Sequence, residues 1–170
     1  MKWAIRGVVV IVGVVAVVAV IGWMLPVGHE ASRNADFPAP AADVYALVSG
    51  VNDYAAWWPD IVRVEMLVDE PGRTTFREHM SDGPIVMTVV SRTPPTEFVT
   101  KIDDPDQPFG GTWTFAISPV GDGSRLTITE RGEIYNPIFR ALARFIFGYT
   151  TTMESFLAAA SRRLGGSAPS

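Results

Sequence analysis

The chain predicts an α+β fold: an antiparallel sheet with one apolar face, covered by a long C-terminal helix and preceded by one transmembrane helix. Three observations carry that expectation. Residues 7 to 28 hold no charged side chain. From Ile61 to Tyr135, apolar residues recur with a period of two, in segments separated by Pro-Gly and Asp-Gly turn signals. From Ile138 to Ala160 they recur at helical spacing.

The first element is the uncharged run. Twelve of the nineteen residues from Gly7 to Leu25 are Val, Ile or Leu. About twenty such residues at roughly 1.5 Å each cover the ~30 Å hydrocarbon core of a bilayer. On an insertion scale they supply roughly −4 to −7 kcal/mol. Valine is a poor helix former in water, but in lipid the backbone has no partners except its own, so helix prevails. Lys2 and Arg6 precede the span, and the mixed set His29, Glu30 and Arg33 follows it. The positive-inside rule then places residues 1–6 in the cytoplasm and the domain outside, with Trp3 and Trp23 near the interfaces. A cleaved signal peptide is the rival reading. The apolar core is longer than a usual signal segment, and no small-x-small site follows Leu25. A core helix of a soluble fold would show a polar face, and this run has none.

Pro26-Val27-Gly28 ends the span and leaves almost no linker, so the domain is expected close to the membrane surface. Residues 30–37 read as a first strand. Pro38-Ala39-Pro40 opens a short helix with Asp43 at the positive end of its dipole and Val44, Leu47 and Val48 as its apolar stripe. A second short helix is expected around Asp53–Trp57. Six strands follow. In the first, Val62, Val64, Met66 and Val68 form one face; in the second, Phe76, Glu78 and Met80 do. The third runs Ile85–Arg92, and after Pro94-Pro95 the fourth runs Glu97–Asp103. The fifth, Gly111–Val120, shows Trp113, Phe115 and Ile117 on one face. Gly121-Asp122-Gly123 is a hairpin signal, and the sixth strand, Arg125–Tyr135, shows Leu126, Ile128, Glu130 and Ile134. Asn136-Pro137 then starts one long helix, Asn as cap and Pro at the first position. Its stripe is Ile138, Leu142, Phe145, Tyr149, Met153, Phe156 and Ala160, and Gly165 stops it. An antiparallel sheet with one apolar face needs a cover, and this helix supplies it. The boundaries are therefore 7–28 for the transmembrane helix, 29–165 for the folded domain and 166–170 for a disordered tail.

Composition excludes several classes. Taking Lys2 and Arg6 from the 14 basic residues leaves 12 against 18 acidic ones, a net charge near −6 beyond the span. Such a domain is a poor match for nucleic acid or for docking on anionic lipid headgroups. The chain has no Cys, hence no disulfide, thiolate metal site or Cys nucleophile. No phosphate-binding Gly loop, dinucleotide fingerprint or Gly-x-Ser-x-Gly elbow occurs. His29-Glu30-Ala31-Ser32-Arg33 fails the zincin pattern because Arg33 stands where a second His belongs. No metal or cofactor is expected. Asp103, Asp104 and Asp106 lack the glycine and bidentate Glu of a calcium loop, and Arg140 and Arg144 read as a solvated basic edge.

The order and spacing of several segments resemble the START-like (helix-grip, Bet v 1/START) superfamily, in its SRPBCC or polyketide cyclase/dehydrase branch. They are Pro38-Ala39-Pro40-Ala41-Ala42-Asp43-Val44-Tyr45-Ala46-Leu47-Val48, Tyr54-Ala55-Ala56-Trp57-Trp58-Pro59-Asp60-Ile61, Pro94-Pro95, Gly111-Thr112-Trp113-Thr114-Phe115 and Thr129-Glu130-Arg131-Gly132-Glu133-Ile134. The resemblance covers residues ~30–165. It implies a curved sheet wrapped around the C-terminal helix, with a hydrophobic cavity between them. Members of that superfamily bind lipids, sterols, polyketides or other apolar molecules, and some are cyclases or dehydratases. The membrane anchor is an addition to the usual soluble form.

Under that reading Met66, Phe76, Met87, Phe98, Trp113, Phe115, Phe145, Tyr149 and Met153 face the space between sheet and helix and would line a ligand site. Plain core packing is the alternative for each, and a one-residue slip would reverse any strand. Burying ~300 Å² of ligand apolar surface yields roughly 7 kcal/mol before association entropy. Glu78 and Glu130 also fall on inward faces. A buried carboxylate must find a partner or accept a raised pKa. They are candidates for general acid/base work or for holding a ligand hydroxyl, the alternative being a pair with Arg77, Arg131 or Arg140. Trp57 and Trp58 are expected to close a corner of the core.

Three functions are carried forward. The leading one is a single-pass, membrane-anchored domain that binds a hydrophobic small molecule or lipid. The second is a cyclase- or dehydratase-like enzyme using an inward Glu. The third is a non-catalytic interaction module at the membrane, with a filled core.

Overall fold

The computed structural model describes residues 2–170. Met1, the first residue of the expected cytoplasmic segment, lies outside the described residues. Helix α1 spans Lys2–Met24 and strand β1 spans Gly28–Phe37. Helix α2, Ala41–Ser49, leads through one 3-10 turn, Val51–Asp53, into the short helix α3, Tyr54–Trp57. Six strands follow: β2 Ile61–Glu70, β3 Arg73–Met80, β4 Gly83–Thr93, β5 Glu97–Ile102, β6 Phe109–Val120 and β7 Gly123–Ile134. They and β1 form one antiparallel sheet in the order β1-β7-β6-β5-β4-β3-β2. The chain therefore crosses from one edge to the other through α2 and α3, then returns hairpin by hairpin until β7 lies beside β1.

The expected single C-terminal helix is interrupted. Helix α4 covers Pro137–Leu142, a π-helical turn covers Ala143–Phe147, and helix α5 runs Thr151–Leu164. Gly148, at φ +76°, separates the two parts. That conformation ends a helix at little cost only for glycine. Thr150, Thr151 and Thr152 follow, and β-branched residues give weak support to continuation. Asn136 caps α4 by accepting the Phe139 N–H at 3.1 Å. Asn136→Ala is expected to cost about 1 kcal/mol, read as a lower urea midpoint of the full chain in micelles; an unchanged midpoint would show that the cap contributes nothing.

The core lies between the concave face of the sheet and α5. Phe76, Phe98, Leu126, Ile128 and, from α5, Met153, Phe156 and Leu157 are fully buried. Each such side chain contributes about 1.5–3 kcal/mol by leaving water. Phe156 is the hub, meeting Trp57 and Trp58 edge-on at 5.0 Å and Phe115 at 5.3 Å. In β2 the predicted alternation fails at its start. Ile61 pairs with Met80 and Arg63 with His79, so Val62 is an extra residue. This bulge turns Val62 to solvent and lets Ile61, Val64 and Met66 all pack inward.

Two surface expectations are also revised. The tail predicted to be disordered lies along β1, with Asn34 and Ser170 exchanging backbone hydrogen bonds at 2.9 Å and Ser167 N–H donating to the Asp36 carbonyl at 2.7 Å. An edge strand leaves such groups free, and the tail supplies their partners. Arg140 is no solvated edge but is 6% exposed. Its guanidinium donates to the carbonyls of Ile134, Gly22, Leu25 and Tyr135 at 2.9–3.2 Å. Two of these belong to the end of α1 or to the residue just past it, where helix carbonyls lack partners. Arg144 is exposed as expected. Gly22 is buried at the same junction, and a Cβ there would fall 1.7 Å from the Pro137 carbonyl oxygen. Helix α1 is thus docked on α4, while its remaining surface, Val8 to Val20 almost throughout, stands exposed. Its stretch Arg6–Met24 is long and apolar enough to cross a membrane.

Candidate functional site

Between the sheet and the C-terminal segment, with Gly148 among its lining residues, lies a cavity of about 660 Å³. That lies within the range of small-molecule sites, ≈ 300–1,000 Å³. Of the residues expected to line such a space, Phe76, Met87, Trp113, Phe115 and Tyr149 do so, together with Glu78 and Glu130. The other four do not. Phe98 and Met153 are fully buried in the core behind the cavity wall, and Met66 is half-buried against the same core. Phe145 is 68% exposed and points away. A π turn adds a residue relative to the 3.6 repeat and advances the phase by about 100°, so the stripe drawn through Leu142 and Tyr149 does not hold Phe145.

The cavity also contains His29, which the sequence places just after the span and offers no reason to put in a site. In β1, His29 shares its face with Ala31, Ala35 and the buried Phe37, and the alternation carries it inward. Its Nε2 lies 3.3 Å from Glu130 Oε1. Its ring stacks on Tyr149 with centroids 3.9 Å apart. Gly132, two residues beyond Glu130, makes room: a Cβ there would sit 2.3 Å from the imidazole. The second carboxylate oxygen, Glu130 Oε2, accepts the Trp113 indole N–H at 3.0 Å. Trp113 and Glu130 are register partners on β6 and β7, which brings the two side chains together. Burial raises the Glu130 pKa, and His29 and the Trp113 N–H oppose that rise. Both ring contacts thus favour the carboxylate, with His29 Nε2 as the natural donor.

Glu78 stands in a different environment. It is 7% exposed on β3, opposite Val64 and Ile85. Among the described residues nothing hydrogen-bonds to it. Arg77 is instead spent on Glu65 at 3.1 Å, Arg131 on Glu30 at 2.9 Å and Arg140 on backbone carbonyls. Burial without a compensating partner pushes the Glu78 carboxyl up to about 7. It also helps raise the buried Tyr54 hydroxyl, which donates to the Val48 carbonyl. Of the four carboxylates that line the cavity, Asp82 and Glu133 are exposed. The other two stand in contrasting states: Glu130 is tied to His29 and Trp113, and Glu78 is solitary and half-protonated near neutral pH. Such contrast in one apolar space is what acid and base roles require.

A curved antiparallel sheet, a C-terminal helix in its concavity and a cavity between them define a START-like helix-grip protein. The chain belongs to the family described as polyketide cyclase / dehydrase and lipid transport, whose model matches residues 28–165. It is 33% identical over 112 residues to the actinorhodin polyketide synthase bifunctional cyclase/dehydratase of Streptomyces coelicolor. That match takes in 62% of this chain and only 35% of that protein. Among solved structures it resembles the di-domain aromatase/cyclase StfQ of the steffimycin biosynthetic pathway, with TM-score 0.68 and 15% identity. That likeness covers 82% of this chain and 52% of StfQ. A START superfamily protein from Mycobacterium smegmatis superposes with TM-score 0.62 at 20% identity, over 81% of this chain and 97% of that one. At such identities the two structures speak for the fold.

Proposed function

We propose that this chain is a membrane-anchored enzyme of the cyclase/dehydratase kind, acting on an apolar molecule that carries carbonyl or β-hydroxyl groups. The observation that carries this reading is the pair of contrasting acidic sites, His29–Glu130 and Glu78, in one largely apolar cavity whose exposed carboxylates are Asp82 and Glu133. The cyclase/dehydratase relative supports it over simple carriage, while the family description names lipid transport as well. With Glu130 accepting its Nε2–H, His29 keeps the lone pair on Nδ1 and serves as general base. It takes a proton from a carbon activated by neighbouring carbonyls. The resulting enolate has two outcomes. It attacks a second carbonyl carbon, forming a C–C bond while Glu78 protonates the new alkoxide. Alternatively it expels a β-hydroxyl as a C=C bond forms, and the Glu78 proton leaves with that hydroxyl as water. The proton on His29 returns to Glu78 through solvent and closes the cycle. Helix α1 would hold the domain at the cell membrane, and Lys2 and Arg6 before the span favour a cytoplasmic N-terminus with the domain outside.

Binding without chemistry, of a lipid or another hydrophobic molecule, is the second reading. It is favoured by the aromatic lining and by a cavity mouth beside α1. A filled-core interaction module fits poorly with a 660 Å³ interior. The full chain in nanodiscs, incubated with synthetic β-polyketone thioesters, is expected to give cyclised or dehydrated products by mass spectrometry. Saturable quenching of tryptophan fluorescence by these compounds or by lipid probes, with no conversion, would overturn the enzyme reading and leave the binding one.

A further inference from the structure

The surface around the cavity mouth carries an apolar cluster that the acid–base reading does not use. In the π turn, Phe145, Ile146 and Phe147 are 68%, 68% and 56% exposed. Ile138 and Phe139 on α4 are exposed beside them. Five large apolar side chains within ten residues form a patch of the sort that marks an interaction site. The neighbouring end of α1 is equally bare, with Trp23 and Met24 each 77% exposed. These two surfaces meet at one hydrogen-bonded junction. Arg140 clasps the carbonyls of Gly22 and Leu25, and Gly22 packs without a side chain against Pro137. The Val27 carbonyl accepts the Ile134 N–H at 2.9 Å, so the link between α1 and β1 is held as well.

Charge points the same way. Between Asn136 and Met153 there is no Asp or Glu, whereas the chain outside the span is acidic; Arg140 and Arg144 are the charged residues of that stretch. Arg140 is internally satisfied and Arg144 is exposed. A cation beside exposed aromatic residues suits the phosphate and glycerol layer of a bilayer. Phe139, Ile146 and Phe147 also belong to the cavity lining.

We propose that the Pro137–Phe147 segment is a second membrane contact, sunk into the interfacial layer beside α1, so that the cavity opens into lipid rather than water. The proposal rests on the reading that α1 spans the bilayer, and it goes further by fixing the attitude of the domain. An apolar substrate would then pass between membrane and cavity past Phe139, Ile146 and Phe147 without crossing bulk water. The occupant of the patch is the lipid surface itself, because α4, which carries Ile138 and Phe139 and leads into the π turn, packs on α1 and is hydrogen-bonded to its end.

The chain has no cysteine, so single labelling is clean. Ile146→Cys and, as reference, Asp122→Cys would each carry an environment-sensitive dye in the full chain reconstituted into phosphatidylcholine vesicles containing brominated lipid. Asp122 lies in the β6–β7 hairpin, at the opposite end of those strands from Ile134. A blue-shifted emission and bromolipid quenching are expected at position 146 and neither at 122. Adding Phe145→Ser and Phe147→Ser should abolish the shift and the quenching while the protein still resists carbonate extraction. A dye at 146 that reports water, in protein still held by the bilayer, overturns the proposal alone. Recovery of the unmodified chain in the aqueous fraction overturns the anchoring reading and the proposal together.

Discussion

Glu130→Gln is expected to lower turnover on a β-polyketone substrate by about 10²–10⁴-fold while leaving substrate affinity nearly unchanged. The substitution preserves size and shape and alters the hydrogen-bond inventory. As a carboxylate, Glu130 accepts from His29 Nε2 on one oxygen and from the Trp113 indole on the other. Glutamine offers one acceptor oxygen and one NH₂ donor. The Trp113 N–H cannot accept, so it claims the oxygen, and the NH₂ then faces His29. The imidazole must present a lone pair at Nε2 and carry its proton on Nδ1, which removes the base from the working position. Binding is expected to depend chiefly on the apolar lining, Phe76, Phe115 and Tyr149, none of which hydrogen-bonds to Glu130. The signature is therefore a fall in kcat with KM held, the mark of an interaction made in the transition state. His29→Gln should give a similar loss, and the double variant should be no worse than either single one, since the two residues act as a unit. Single-turnover product formation measures all three. Activity in Glu130→Gln within twofold of the parent, with the fold intact, would remove the pair from the mechanism.

Much of this architecture was legible from local signals. Pro71-Gly72, Ser81-Asp82-Gly83 and Gly121-Asp122-Gly123 separate the strands in the sequence and separate them in the structure. Within a strand, the buried large apolar residues fix the register. Phe76 on β3 and Leu126 and Ile128 on β7 place Glu78 and Glu130 inward by a period of two, and both line the cavity. What escaped the sequence depends on partners far along the chain or on an interruption of period. Arg140 looks like a surface arginine until α1, over a hundred residues earlier, brings two carbonyls to it. His29 was lost because the first strand was begun at Glu30 and not at Gly28. Starting two residues sooner, the alternation with Ala35 and Phe37 turns it inward. The π turn and Gly148 break a stripe that otherwise runs unbroken from Ile138 to Ala160. Phe145 lies outside the site for that reason, while Gly148 and Tyr149, at the break, both line the cavity. Phe98 and Met153 were placed on the right faces, but the sequence does not say whether an inward face meets a void or a neighbour.

Glu78→Gln should stabilise the full chain at pH 8 by about 3 kcal/mol and leave its stability at pH 4 nearly unchanged. Glu78 titrates near 7 in the folded protein against an ordinary value of 4.5. The folded state thus holds this proton more tightly than the unfolded state does. Between those two values it binds more protons than the unfolded chain, so stability falls as pH rises through the window. Below 4.5 both states are protonated and no cost arises. Above about 7 the full difference is felt, and at 1.36 kcal/mol per pKa unit it comes to ~3 kcal/mol. The cause is desolvation, since Glu78 is 7% exposed and has no partner among the described residues. Glutamine fills the same volume and cannot ionise. Its buried amide carries a desolvation cost similar to that of the protonated carboxyl, so the two nearly cancel at low pH. Urea midpoints of parent and variant in the same micelles, taken at pH 4, 6 and 8, should diverge steadily with pH. A variant no more stable than the parent at pH 8 would mean that Glu78 is ionised at no cost, through water or a counter-charge. The same substitution tests function independently, because a proton donor with this pKa loses its proton as pH passes 7. The parent's rate should decline above that point, and Glu78→Gln should be slow at every pH while being the sturdier protein. Under the proposed mechanism, so costly an acid in the cavity wall is a stability–activity compromise, and a Glu78→Gln protein that is both sturdier and slow is its expected signature.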